Sequence, residues 1–157
     1  MIHTVLFDMG NVLVHFCHDR MCRQIGELCG HSGEEIRTLL IESGLQWEFE
    51  RGRVSEDEFR RHLEAATGVQ LNLDDVRHAG SDIFTLNEPI VPILDALKRR
   101  DYRLVLLSNT SVSHFDFVSR NFDVLSRFDD YVTSYGVGAV KPEDPIFEAA
   151  KRAIGCE

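Results

Sequence analysis

The stretch Val5-Leu6-Phe7-Asp8-Met9-Gly10-Asn11 constrains the fold of this chain more than any other. An apolar run carries the backbone straight into an aspartate, and a glycine and an asparagine then turn it. Open α/β sheets present reactive groups this way, with ligands bound in the crevice at the carboxyl ends of the strands. The run from Ile2 to Phe7 shows no clear alternation, which predicts a strand buried on both faces. Two later runs repeat the pattern. Arg103-Leu104-Val105-Leu106-Leu107 leads into Ser108-Asn109-Thr110, and Tyr131-Val132-Thr133-Ser134 leads through Gly136 and Gly138 to Lys141-Pro142.

Between the first and second strands the character changes. From His18 to about Asn87 the apolar residues follow a helical period, with Met21, Ile25 and Leu28 on one stripe and Gly30 ending it. Ser32 to Glu35 and Ser55 to Glu58 read as capping boxes, each opening a helix. Asp74 or Asp75 and Ser81 are candidate starts of shorter helices, and Gly44 a candidate stop. After Pro89, Ile90, Ile93, Leu94 and Leu97 form an amphipathic helix. A further helix spans roughly Val112 to Asn121, and Asp144 caps a last one with Pro145 as its first residue. The predicted class is α/β: a Rossmann-like parallel sheet over residues 1–15 and 89–157, interrupted by a small helical insert over residues 16–88.

Composition narrows the function. The 157 residues suffice for one core domain plus a small insertion, and the apolar fraction of 43% is that of a soluble globular chain. The net charge of −9 argues against a phosphate-tracking surface and so against nucleic acid. No run approaches a membrane span, and the first seven residues leave no space for a cleavable leader. Cys17, Cys22, Cys29 and Cys156 show no zinc spacing and are expected to be reduced, which places the protein in the cytoplasm.

In a parallel sheet the three strand exits share an edge, so Asp8, Ser108-Asn109 and Lys141 can converge on one small anion. A carboxylate can attack phosphorus in line if nearby positive charge offsets the repulsion between anions. Alone, each residue has an ordinary reading: Asp8 as a turn former, Ser108 as a helix cap, Lys141 as a solvated loop charge. Order and spacing give them weight. Phe7 to Leu13, Leu107 to Thr110 and Gly138 to Pro142 together resemble the haloacid dehalogenase (HAD) superfamily, over essentially the whole chain. The segment Glu50-Arg51-Gly52-Arg53-Val54-Ser55 with Phe59 is similar to the inserted cap of its branch of bacterial sugar-phosphate phosphatases that act on α-D-glucose-1-phosphate. The resemblance implies that Asp8 is the nucleophile and a ligand of magnesium. It implies that Gly10 lends its backbone carbonyl to the metal, that Ser108 and the Asn109 backbone bind the phosphoryl group, and that Lys141 steadies Asp8. The substrate implied is a small phosphorylated metabolite, and the insert is the cap that closes over it.

Two departures stand out. Phosphatases of this superfamily usually place a second aspartate two residues after the nucleophile as general acid and base, and this chain has Gly10. Such a group is worth about 10²–10⁴ in rate, so slow turnover, a good leaving group or a substitute is expected. His15 and His18 are the nearby candidates. The family also continues past a helix such as the one ending here, into a strand with acidic residues that complete the metal site. Without it, Ile2 to Phe7 is expected to be an exposed edge, the chain to be truncated or completed by a partner, and magnesium binding to be weak. Trp47, Glu48, Glu50 and Arg51 are candidate cap residues facing substrate, against the plainer reading of Trp47 and Phe49 as cap core and the charges as surface. His62 and His78 are expected on solvated faces. Two other functions suit the same residues. One is a 2-haloacid dehalogenase, although those usually carry a bulky residue at Gly10 and a Gly-Thr pair at Asn11-Val12. The other is a non-catalytic HAD-fold binding protein.

Overall fold

The computed structural model describes residues 2–155. β1 (Thr4–Phe7) is followed by β2 (Val14–Phe16), α1 (His18–Cys29), α2 (Gly33–Arg37) running into a π-helical turn, α3 (Leu45–Glu50), α4 (Glu56–Thr67) and α5 (Leu73–Ser81). Then come β3 (Phe84–Leu86), α6 (Val91–Lys98), β4 (Arg103–Ser108), α7 (Val112–Asn121), β5 (Asp130–Thr133), α8 (Ser134–Val137) and α9 (Asp144–Ile154). The sheet order is β1-β4-β5, all parallel, with Phe7 opposite Leu106 and Ser108 opposite Thr133. The three strand exits therefore lie along one edge.

The central strand β4 is buried on both faces, as its apolar run requires. Leu104 and Leu106 enter the larger core with Leu94 and Val118, while Val105 and Leu107 meet Ile146 and Ala150 of α9. β1 departs from the expected burial. Val5 and Phe7 pack into the larger core, Phe7 edge-on to Phe128 at 5.8 Å between ring centres. Leu6, on the other face, is 40% exposed. The reason is coverage: α9 packs over β5 and β4, and among the described residues β1 has no second strand neighbour.

The helical segment leaves and rejoins the sheet domain through an antiparallel ribbon of β2 and β3, with His15 opposite Thr85. Asn87 locks the ribbon by donating from its side chain to the Val12 carbonyl (2.7 Å) and from its N–H to the Leu13 carbonyl (3.0 Å). Both capping boxes form, with Ser32 and Ser55 each exchanging hydrogen bonds with the glutamate three residues on. Asn72 caps α5, so Asp74 and Asp75 lie in its first turn, and Ser81 ends that helix instead of opening another. Asp144 is the first residue of α9 rather than its cap. The preceding Glu143 turns its carboxylate to Arg51 and the Val140 N–H.

The apolar face of α6 is narrower than predicted, since Leu94 is buried but Ile93 is 52% exposed. Cys22 and Cys29 are buried free thiols and Cys17 is exposed, while Cys156 lies outside the described residues. No helix among the described residues is long and apolar enough to cross a membrane.

Candidate active site

The turn after β1 is tightly wound. The N–H groups of Leu13 and Val14 both reach the Met9 carbonyl, at 2.9 and 3.1 Å, and Asn11 takes a left-handed conformation at φ 57°. Asparagine is among the few residues that visit this region readily. A Cβ on Gly10 would stand 2.8 Å from the Phe16 ring, so that ring fills the space a side chain at this position would need.

Asp8 is held at both oxygens. Oδ1 accepts from the Met9 N–H at 2.7 Å, and Oδ2 accepts from Lys141 Nζ at 2.5 Å. The ammonium also donates to the Leu107 carbonyl at 3.0 Å. Asn109 clamps the Lys141 backbone from both sides: its Oδ1 accepts the Lys141 N–H (2.7 Å) and its Nδ2 donates to the Lys141 carbonyl (3.2 Å). The structure thus brings Asp8, Asn109 and Lys141 together across three strand exits. Ser108 is fully buried behind them, with Oγ 3.4 Å from the Asn109 carbonyl.

Above them lies a cleft of about 230 Å³ whose floor includes Asp8, Gly10, Asn109 and Thr110. The helices supply its other walls through Trp47, Glu50, His18 and His114. Phe49 is core, stacked on Phe59 at 4.7 Å, whereas Trp47 is 44% exposed at the cleft and Glu50 is buried. The division between cap core and surface charges therefore falls differently from the plain sequence reading.

Glu50 accepts from Gln46 Nε2 at 3.0 Å, and burial pushes its carboxyl above the usual range, with the Gln46 bond acting against this. The Glu50 carbonyl accepts from Ser134 Oγ at 2.6 Å, and Ser134 Oγ in turn accepts the Thr110 N–H at 2.9 Å. Arg51 donates to Glu48 at 2.8 Å and, across to the sheet domain, to Glu143 at 2.6 Å. Gly52, at φ +72°, lies so close to α8 that a Cβ would meet the Tyr135 carbonyl oxygen at 2.6 Å. The end of α3 and the turn after it are thereby pinned onto the loops that carry Asn109 and Lys141.

Of the two histidines singled out in the sequence, His18 lines the cleft and His15 is exposed on the ribbon. Burial, with Arg37 adding to it, lowers the His18 pKa. His62 and His78 are exposed. His114 escaped the sequence reading, because a histidine inside a helix carries no mark of burial. Its Nε2 stands 3.0 Å from the Gly80 carbonyl, and desolvation pushes its pKa down to about 4.

An acid-stability consequence follows from His114. Between its unfolded value of 6.5 and its folded value of about 4, the unfolded chain binds a proton that the folded chain excludes. Stability is then full above pH 6.5 and falls as the pH drops towards 4, by roughly 3 kcal/mol in all from this group. Urea unfolding across that range should show a shallower decline for His114→Gln than for the wild type. Equal slopes would remove His114 as the cause.

The Asp8 carboxylate and the Gly10 carbonyl are hard oxygen donors on the cleft floor. The described residues contain no group of three or more His, Cys, Asp or Glu side chains arranged to hold a metal. Magnesium is commonly held by one or two carboxylates, with water and substrate phosphate completing its shell. The pair fits that minimal share.

Known proteins share both the sequence pattern and the fold. A D-ribitol-5-phosphate phosphatase of Bacteroides thetaiotaomicron is 28% identical over 156 residues, spanning 94% of this chain and 75% of that protein. A solved structure described as a predicted HAD-like family hydrolase from Porphyromonas gingivalis is 30% identical, with a TM-score of 0.82, covering 100% of this chain and 78% of that one. A HAD family enzyme of Bacteroides thetaiotaomicron, solved with magnesium and inorganic phosphate, superimposes with a TM-score of 0.86 at 24% identity, covering 99% of this chain and 80% of its own. The profile of the haloacid dehalogenase-like hydrolases matches residues 2–157. With the parallel sheet and the order of its three strand exits, this makes the chain a member of the haloacid dehalogenase-like hydrolases.

Proposed function

We propose that this chain is a magnesium-dependent phosphatase of a small phosphorylated metabolite, a sugar or polyol phosphate, acting through an aspartyl-phosphate on Asp8. The observation that carries the reading is the Asp8–Lys141 pair, 2.5 Å from Nζ to Oδ2, with Asp8 on the floor of the cleft. A lone carboxylate would repel a phosphate dianion. One held against an ammonium and next to backbone N–H groups can approach phosphorus. The Asp8 carboxylate and the Gly10 carbonyl would hold magnesium, which would supply further positive charge at the phosphoryl site.

The Met9 N–H fixes Oδ1 of Asp8 and so aims the carboxylate. The Asn109 backbone, on the cleft floor, is the phosphoryl-binding group, with Ser108 fully buried directly behind it, and the Asn109 side chain keeps Lys141 in reach of Asp8. The helical segment over residues 16–88 acts as a cap: Trp47 and Glu50 face the substrate, and the Arg51–Glu143 pair holds the lid against the sheet domain. Closure excludes water and strengthens every charge interaction inside. A cytoplasmic location accompanies this reading, and the edge of β1, which no strand covers among the described residues, is where a partner chain would pair.

The decisive assay is phosphate release from ribitol and hexose phosphates with magnesium present. Chelation should lower turnover by at least about tenfold, and added magnesium should restore it. Halide release from a 2-haloacid that survives chelation would overturn the proposal, assigning Asp8 to attack on carbon.

A further inference from the structure

Phosphoryl transfer to Asp8 leaves an alkoxide, and expulsion of an alkoxide needs a proton. The residue two after Asp8 cannot give it, since Gly10 has no side chain and Phe16 occupies the space beside it. We propose that Glu50, reaching the cleft from the helical segment, is the general acid that protonates the leaving oxygen and the general base that then activates water. The inference rests on the phosphatase reading of the same site.

Three observations converge on Glu50. The first is placement. Attacking and leaving oxygens lie roughly in line on opposite sides of phosphorus. With Asp8 on the floor, the leaving group points towards the helical segment. Among the residues lining the cleft, Asp8 and Glu50 are the carboxylic acids, and Glu50 belongs to that facing wall. The second is anchoring. Ser134 Oγ links the Glu50 carbonyl to the Thr110 N–H, so the acid is fixed relative to the loop proposed to bind the phosphoryl group.

The third is the absence, among the described residues, of a cation paired with Glu50. Glu50 is 7% exposed, and its side-chain partner is the neutral amide of Gln46. Arg51, next in the chain, turns to Glu48 and Glu143. Lys141 is spent on Asp8 and the Leu107 carbonyl. Burial therefore favours the protonated carboxyl, as a donor requires. The cleft histidines are poorer donors. Burial lowers the pKa of both His18 and His114, which disfavours the protonated ring that a donor needs.

The steps balance. Asp8 Oδ forms a bond to phosphorus as the ester P–O bond breaks, and the Glu50 proton passes to the departing oxygen, releasing a neutral alcohol. The Glu50 carboxylate then takes a proton from a water that enters from the vacated side. That water's oxygen bonds to phosphorus, the Asp8–phosphorus bond breaks, and inorganic phosphate leaves with both carboxyls restored.

The test compares wild type, Glu50→Gln, Glu50→Asp and Asp8→Asn with magnesium present, on ribitol phosphate and on p-nitrophenyl phosphate. Glu50→Gln should lower kcat on the polyol ester by about 10²–10⁴ with little change in KM. The loss in the first turnover should shrink at least about tenfold with p-nitrophenolate, which departs without a proton. The alkaline limb of kcat/KM should vanish in Glu50→Gln and survive in Glu50→Asp, and carbon-13 NMR of labelled glutamates should show one carboxyl titrating above the usual range, missing from Glu50→Gln.

Equal first-turnover losses on both esters, an unchanged alkaline limb, a rise in KM alone, or a Glu50 signal titrating as an ordinary carboxylate would each overturn the assignment while leaving the phosphatase reading intact. A limb that moves only on replacing His18 would hand the role to that ring. A wild type whose turnover does not depend on Asp8 would overturn both readings together.

Discussion

Asp8→Asn should abolish phosphate release, lowering kcat by at least about 10⁴, with no acid-stable phosphoprotein trapped after mixing with substrate. The change is nearly isosteric. The Asn amide oxygen can still accept from Met9 N–H, where Oδ1 now does at 2.7 Å, but its NH₂ group then faces another donor in Lys141 Nζ. The cost of that mismatch falls on a residue whose side chain is 41% exposed, so water can satisfy what the amide cannot. Thermal unfolding should therefore shift little while chemistry stops. Two measurements check this on the same preparation: single-turnover phosphorylation from labelled substrate, and the unfolding midpoint. Retained turnover would remove Asp8 from the chemistry. A biological effect of the protein that survives in the inactive variant would favour the non-catalytic binding reading instead.

The residues that carry this prediction were legible because strand exits obey a topological rule. A parallel sheet puts the carboxyl ends of its strands on one edge, so three apolar runs ending at Asp8, Ser108 and Thr133 suffice to bring their following loops together. Capping boxes were legible for a similar reason, since Ser32 with Glu35 and Ser55 with Glu58 satisfy backbone donors within one turn. What stayed hidden depends on contacts distant in the chain. β2 and β3 are short strands whose partner lies on the far side of the helical segment, so neither shows a local period. The burial of Gln46 and Glu50 is likewise set by what packs over α3, not by polarity, and Glu50 acquires its shifted carboxyl only there. Leu6 is the converse case, an apolar residue read as buried whose face of β1 lies beyond the reach of α9.

Lys141→Met should lower kcat by about 10²–10³ while leaving the fold in place. The ammonium bridges Asp8 Oδ2 and the Leu107 carbonyl, so it both orients the carboxylate and places a positive charge at the phosphoryl site. Methionine keeps the apolar stem and most of its length and removes the charge together with the hydrogen bonds to Asp8 and the Leu107 carbonyl. The stability cost should stay near or below about 1 kcal/mol, because a half-exposed carboxylate left without its partner can turn to water. Lys141→Arg should not restore full activity, since a planar guanidinium presents a different geometry from the compact ammonium that Asn109 holds in place through the Lys141 backbone. The split between kcat and KM separates the two roles of the lysine. If it mainly binds ground-state phosphate, KM rises and kcat holds. If it stabilises charge as the bond to phosphorus forms, kcat and kcat/KM fall together, which is the expected outcome. A variant with wild-type kcat would mean that the short Asp8–Lys141 contact is structural, and the phosphatase reading would lose the observation that carries it.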